Sequence, residues 1–277
     1  MSFSAEWLAL REPVDHRSVD GALRAQVATT FADRPVRVLD LGCGSGSNLR
    51  GLAPLLGTEQ RWTLVDWDAA LLSHASAALT AWADDAVDED DLLVLLKDGQ
   101  RITVEFLQAD LAADVAAVLD EPVDLVTAAA FFDLVSEDWI ATFCDALLAR
   151  KLPLYTVLTY DGRETWTPPH ESDSAVLAAF HAHQSSDKGF GPAAGPRAAD
   201  ALVQALQSRG YEVNTGPSPW RLGGADQDLI EELAEGSAGA AAETGLIPVS
   251  QVEDWLKSRM GAQTCEIGHL DVFAAPR

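Results

Sequence analysis

Three alternating glycines follow an apolar strand signal early in the chain, in Val38-Leu-Asp-Leu-Gly-Cys-Gly-Ser-Gly-Ser-Asn48, where they stand at Gly42, Gly44 and Gly46. A residue without Cβ reaches positive φ and lets a bound molecule touch the main chain, so such a loop makes the backbone a binding surface. It needs a strand before it and a turn into a helix behind it, which points to an α/β architecture. The spacing limits what the loop holds. A dinucleotide fingerprint reads G-x-G-x-x-G, its third glycine seating the helix against the strand. Counted from Gly42 that third place is Ser47, and counted from Gly44 it is Leu49. A plain strand-to-helix connection is the alternative reading of the loop alone.

Beyond the loop, helix and strand signals alternate, the pattern of a parallel sheet covered on both faces. Residues 7–31 read as one or two helices broken at Pro13. Helices are expected at 48–56 and 68–82, and strands at 62–66, 102–107, 124–130 and 154–160. The acidic block 84–91 reads as solvated or poorly ordered, and 92–96 as a weak strand in a hairpin with 102–107. Periodicity predicts a helix over 139–148 with Ser136 as its N-cap. Past Tyr160 the composition shifts toward Pro, Gly, His and Trp up to Arg197, where a substrate-facing insertion is expected. A helix at 198–209, a sixth strand from Tyr211, helices at 226–235 and 250–260, and a last strand at 264–274 complete the chain.

An acidic residue two places before G-x-G-x-G at a strand end, here Asp40, resembles motif I of the class I S-adenosylmethionine-dependent methyltransferases, and the likeness extends over about 36–160. The resemblance implies the Rossmann-like methyltransferase fold, a seven-stranded, mostly parallel sheet with helices on both faces and the last strand antiparallel. It implies S-adenosylmethionine as cofactor, seated on Asp40, Gly42, Gly44 and Gly46. It also implies that the Asp ending Trp62-Thr-Leu-Val-Asp66, 26 residues beyond Asp40, accepts from the ribose hydroxyls. Trp67 is then placed to pack on adenine, and Gln108-Ala-Asp110-Leu111 to read the adenine edge. Each aspartate also has a structural reading as a helix cap or a solvated strand-end residue. One domain over 1–277 is expected: cap helices at 1–34, the cofactor-binding core at 35–160, a substrate-side insertion or lid at 161–200, and the end of the sheet with inserted helices at 201–277.

Composition narrows the substrate. The formal charge of −24 opposes the polyanionic backbone of DNA or RNA, so nucleic acid is a poor partner, although a very soluble surface explains the same charge. No apolar run reaches the length of a membrane helix, and the first residues lack the basic start of a secretion signal. Cys43, Cys144 and Cys265 show no metal or disulfide spacing, which suits a reducing cytoplasm. No metal is expected.

Methyl transfer from a sulfonium needs an acceptor held in line, so positioning and desolvation carry much of the catalysis. The ends of strands four and five are the places to search. Phe131-Phe-Asp133 lacks the Asn-Pro-Pro-Tyr or Asp-Pro-Pro-Tyr device for holding an amide or adenine amino group. Phe131 and Phe132 are candidates for the transfer pocket or for core. Asp133 is a candidate for orienting or deprotonating the acceptor, and alternatively a helix N-terminal carboxylate. His181 and His183 point about 200° apart if helical, which argues against a shared metal and leaves His183 as candidate base with His181 beside the substrate. Tyr160, Asp161, Arg163 and Trp166 are candidates for a substrate wall, and Lys188-Gly-Phe-Gly-Pro for a loop across its mouth. Arg11 and Arg17 are candidates for a cofactor carboxylate or an anionic substrate. The expected activity is methyl transfer to an O or N atom of a small molecule. A nicotinamide-dependent oxidoreductase and a non-catalytic cofactor-binding regulator remain as rivals, and the oligomeric state is open.

Overall fold

The computed structural model describes residues 3–277. Two helices come first, α1 (Ala5–Ser18) and α2 (Gly21–Phe31), and then β1 (Val36–Leu41), α3 (Ser47–Leu52), β2 (Glu59–Asp66) and α4 (Ala69–Trp82). A meander of β3 (Asp85–Glu89), β4 (Leu92–Lys97) and β5 (Gln100–Gln108) leads to α5 (Leu111–Val118), β6 (Leu125–Ala129), α6 (Glu137–Arg150) and β7 (Leu154–Thr167). The last third holds α7 (Asp173–Gln184), α8 (Ala198–Ser208), β8 (Tyr211–Pro217), β9 (Trp220–Leu222), α9 (Gln227–Thr244), α10 (Val249–Arg259) and β10 (Thr264–Pro276).

Local sequence explains most helix starts. Ser4, Asp20, Asp68, Asp110 and Ser136 each accept a backbone N–H of the first turn of α1, α2, α4, α5 and α6. Each such cap satisfies a donor that the helix itself leaves open.

The strands form one sheet in the order β3-β4-β5-β2-β1-β6-β7-β10-β8, with β9 paired to β10. The run β5-β2-β1-β6-β7 is parallel, and β10 lies antiparallel between β7 and β8. The seven strands expected from the sequence are therefore present, as is the weak strand expected at 92–96, which is β4 in a hairpin with β5, and β3 and β9 are added at the margins. Strand residues alternate between two cores. Val36, Val38, Trp62 and Leu64 pack with Leu23 and Val27 of α2, Leu49 of α3 and Leu79 of α4, whereas Leu39, Leu41 and Val65 pack with α5, α6 and α8.

Four expectations are corrected. α1 runs through Pro13, and the break falls at Val19 and Asp20. The proline costs one intrahelical bond, and the Arg11–Asp15 ion pair at 2.8 Å spans that turn and ties its two sides. The acidic block is an ordered edge strand, β3, because the apolar β4 beside it offers a ladder. Its exposed carboxylates blunt the edge against further pairing. β7 does not stop at Tyr160 but continues to Thr167, since β10 pairs with it from Ala274↔Leu154 to Thr264↔Thr167. α9 is longer than expected, reaching Thr244, where Gly245 at φ +63° closes it.

The β7/β10 ladder is irregular between Leu270 and Val272, at Asp271. This carboxylate has no solvent exposure and accepts from Leu158 N at 2.8 Å, Asp20 N at 2.7 Å and Ser218 Oγ at 2.5 Å. Burial pushes its pKa up to about 6, against the pull of those donors. Replacing Asp271 by Ala strands two backbone N–H groups, so Asp271→Ala is expected to lower stability by about 3 kcal/mol and Ser218→Ala by about 1 kcal/mol, read from urea unfolding midpoints. A loss for Asp271→Ala no larger than for Ser218→Ala contradicts this role.

Candidate functional site

A cavity of about 620 Å³ opens over the carboxyl ends of β1, β2, β5 and β6, reaches β7, and is roofed by α1, α2 and residues 188–190. Ligands of open α/β sheets bind in this crevice, where the strand order reverses. β1 is that reversal point, flanked by β2 and β6.

The glycine loop forms one wall. Gly42, Gly44 and Gly46 have φ of +63°, +53° and +75°. At Gly42 a Cβ would stand 2.7 Å from the Phe131 ring, so both conformation and space require glycine there. Gly46 turns the chain into α3 and does not face the cavity. Cys43 N donates to Val65 O at 2.9 Å, which holds the loop against β2.

Three aspartates stand on successive strand ends around this wall. Asp40 is fully buried; Oδ1 accepts from Asn48 Nδ2 at 2.8 Å, and Oδ2 has no hydrogen-bond partner among the described residues. Burial pushes its pKa up to about 7, the Asn48 hydrogen bond pulls it down, and the charge of Asp66 adds to the rise. Asp66 accepts from Gly44 N and Asp68 N, each at 3.0 Å, and burial raises its pKa against those donors. It therefore shapes the loop as well as facing the cavity. Asp110 caps α5 through Ala112 N at 2.9 Å and still lines the cavity, so its structural reading and its cavity position hold together. Trp67 stands at the rim with 55% of its surface exposed, and Leu111 lies beside Asp110.

The structure thus brings Asp40, Gly42, Gly44, Asp66, Trp67, Asp110 and Leu111 to one cavity, together with Lys188. Of the other candidates it also brings Arg11, Phe131 and the loop at Lys188-Gly-Phe190 there, and it leaves the rest outside. Asp133 is buried behind the wall, 3.3 Å from Gln184 Nε2, and burial pushes its pKa up to about 6. His183 faces Glu243 of α9 at 3.0 Å on the outer surface. His181 Nε2 meets the Tyr160 hydroxyl at 2.9 Å, and that hydroxyl donates to Glu164 at 2.9 Å. Asp161 and Arg163 pair with each other, and Trp166 is buried against Trp255. The reason is the length of β7: as strand residues, 161–167 follow β10 away from the crevice instead of looping over it. Phe131 lines the cavity, while Phe132 belongs to the core with Phe143. Arg17 pairs with Asp226 on the surface.

Sequence reasoning missed several lining residues. Arg11 was a candidate, but its pairing with Asp15, and the bond from Trp220 Nε1 to Asp15 Oδ1 at 3.0 Å, give the cavity a neutralised polar corner. The i,i+4 spacing of Arg11 and Asp15 was a readable signal. His16, Arg24 and Tyr155 also line the cavity and carry no sequence signature. Phe190 packs edge-on against Phe131 and Trp139, closing residues 188–190 over the opening. Two lining residues that are not glycine, Ala130 and Leu158, hold positive φ of +49° and +59°. Backbone strain of this kind persists where surrounding bonds enforce it, here Ala130 N to Val157 O and Leu158 N to Asp271.

No protein-family model and no curated protein matches the chain. Among solved structures it is similar to a cyclopropane-fatty-acyl-phospholipid synthase-like protein from Lactobacillus casei ATCC 334, with a TM-score of 0.61 and 16% identity over 99% of this chain and 95% of that one. It is also similar to the YcgJ protein of Bacillus subtilis, with a TM-score of 0.52 and 12% identity over 95% and 99% of the two chains. A putative type II methyltransferase from Anaeromyxobacter dehalogenans aligns with a TM-score of 0.50 and 18% identity over 94% and 98%. With the strand order and the antiparallel β10, these likenesses show that the chain has the Rossmann-like methyltransferase fold.

Proposed function

We propose that this protein is an S-adenosylmethionine-dependent methyltransferase acting on an O or N atom of a small molecule in the cytoplasm. One observation carries the reading: three aspartates at the ends of adjacent parallel strands, none with a cationic partner among the described residues, surround a glycine loop and one cavity. The donor set fits the cofactor. Asp40 offers a buried, unpartnered oxygen for an ammonium, and Asp66 retains lone pairs for a ribose. The Asp110 and Leu111 segment, with the exposed Trp67 ring, offers an edge and a face for a purine. When bound, that cofactor supplies an electrophilic methyl group for in-line displacement.

The chain's own contribution is then to orient the acceptor and keep water out. Val19, Leu52 and Val157 wall the part of the cavity toward α2 and β7, Leu8 covers Gly44 of the glycine loop, and Phe190 covers the mouth. Asp133, His181 and His183 stand outside this wall, so we assign the acceptor chamber to the α1, α2 and β7 residues instead. Lys188 keeps its role as a substrate-side residue of a lid. The charge of −24 supports a small acceptor over nucleic acid, and among the described residues no helix is long and apolar enough to cross a membrane. The free, buried Cys43, Cys144 and Cys265 support the cytoplasmic assignment.

Calorimetric titration tests the cofactor: S-adenosylhomocysteine is expected to bind and NAD not to. Asp66→Ala is expected to weaken S-adenosylhomocysteine by about ten-fold or more while the protein stays folded, since both ligand and Gly44 lose an acceptor. NAD preference, or unchanged affinity in the variant, contradicts the assignment. Because the folded pKa of Asp40 is raised to about 7, the free protein holds a proton there at pH 6, and a ligand ammonium favours its release. Titrations at pH 6 in buffers of different ionisation enthalpy should therefore show proton release on binding, abolished in Asp40→Asn. The same raised pKa makes ionisation unfavourable in the fold. The Asp40 share of stability is present below about pH 4 and lost as pH rises toward about 7, in the same sense as for Asp133 and Asp271. Asp40→Asn is expected to flatten that fall in Tm, and a fall as steep as in the wild type contradicts the burial argument.

A further inference from the structure

Charge is divided across the cavity. The aspartates that line it without a cationic partner among the described residues, Asp40, Asp66, Asp110 and Asp114, stand on β1, on β2, at the N-cap of α5 and in its first turn. The cations stand on the roof: Arg11 is neutralised by Asp15, whereas Lys188 of the covering loop and Arg24 of α2 have no ion pair among the described residues. Arg24 donates from Nη2 to the Gly51 carbonyl at 3.0 Å and has no carboxylate within ion-pairing distance among the described residues. In a chain with 43 acidic and 19 basic residues, an arginine facing a cavity without an acidic partner is a specific feature.

Tyr155 lies on the same wall. Its ring is 2% exposed, and its hydroxyl has no hydrogen-bond partner among the described residues. A buried hydroxyl left unpaired costs free energy, so the site that retains one has a use for it. Burial, reinforced by Asp271, raises its pKa far above neutrality against the pull of Arg24, which leaves the hydroxyl a donor. The sheet register fixes its place. Asp40 pairs with Thr127 and Thr127 with Tyr155, so the three side chains stand in a row on one face of β1, β6 and β7. Asn48 of α3 bonds both Asp40 and Thr127, which identifies that face as the one under α3. At the usual strand spacing Tyr155 is about 10 Å from Asp40 across the floor.

We infer that the methyl acceptor is a small carboxylic acid whose apolar body carries an O or N nucleophile at the end away from the carboxylate; the carboxylate is held by the Arg24 guanidinium and the Tyr155 hydroxyl, the body lies along Val19, Leu52 and Val157, and the nucleophile bonds to the methyl carbon as the S–C bond breaks, its electron pair staying on the sulfur of S-adenosylhomocysteine and the acceptor's proton passing to solvent. The inference rests on the methyltransferase reading and deepens it. A cationic donor at the aspartate end and an anionic acceptor at the arginine end each meet the opposite charge, and exchanging them places like charges together. One guanidinium and one hydroxyl match the two oxygens of a carboxylate.

The test uses octanoate, octan-1-ol and octylamine as probes of equal body and different head, titrated by calorimetry into protein saturated with S-adenosylhomocysteine. Octanoate is expected to bind and the other two to bind about ten-fold more weakly or not at all. Arg24→Gln is expected to weaken octanoate about ten-fold and Tyr155→Phe, which keeps the ring, by a smaller factor, with S-adenosylhomocysteine affinity unchanged in both. Equal binding of the alcohol or amine, no binding of octanoate, or octanoate affinity unaffected by Arg24→Gln overturns the carboxylate assignment. Failure of the wild type to bind S-adenosylhomocysteine is a separate result and overturns the cofactor reading beneath it.

Discussion

A single buried carboxylate organises the side of the cavity formed by α1, α2 and β7. Asp271 sits where β10 departs from regular pairing with β7, and its two oxygens hold three segments that are distant in sequence. One is Leu158, kept at positive φ in the cavity wall; one is Asp20, where α1 turns into α2; the third is Ser218, at the entry to β9. The roof helices, the β7 wall and the strand that carries Trp220 are thereby referred to one point. Trp220 in turn donates to Asp15, so the orientation of α1 over the chamber depends on the same corner. Such a group is costly to bury and worth burying only when its hydrogen bonds are met.

The aspartate side follows a different logic. Here Asp40 and Asp66 are buried and Asp110 is exposed at the rim, none with a cation, and the backbone partly compensates: Gly44 N and Asp68 N on Asp66, Ala112 N on Asp110. Asp40 is the least compensated, with one oxygen bonded to Asn48 and the other unpartnered. Mutual repulsion of Asp40 and Asp66 adds to the cost of desolvation. Negative potential concentrated in a crevice and left unneutralised by the protein is what a cationic ligand stabilises. The net acidity of the whole chain extends that field, whereas the roof arginines reverse it locally.

Much of the architecture was legible because its determinants are local. The glycine loop, the alternation of strands and helices, the Ser136 cap and the seven-strand plan follow from residues adjacent in sequence. The positions of Asp40, Asp66 and Asp110 were readable for the same reason: parallel strands joined by short helices place successive strand ends at one edge. The acidic block 84–91 misled because its composition favours solvent, and only the partner strand β4 orders it. Tyr160, Asp161 and Arg163 misled because the sequence shows where a strand can begin more clearly than where it must stop, and here β10 extends the ladder to Thr167.

By itself, then, the amino-acid sequence determined the α/β class, the main-chain cradle after β1 and the three aspartates around it, since each depends on propensity, spacing and the handed geometry of successive units. The tertiary structure alone decided the chamber between α1, α2 and β7. Asp15 of α1, Arg24 of α2, and Tyr155 and Leu158 of β7 come from three separate elements, and apart from the i,i+4 spacing of Arg11 and Asp15 nothing near them in the chain marks them. They converge because α2 lies on the sheet face beside α3, because Thr127 aligns Asp40 with Tyr155 across β6, and because Asp271 pins the corner. Those are contacts between residues far apart in sequence, set by packing and register, and no local pattern encodes them.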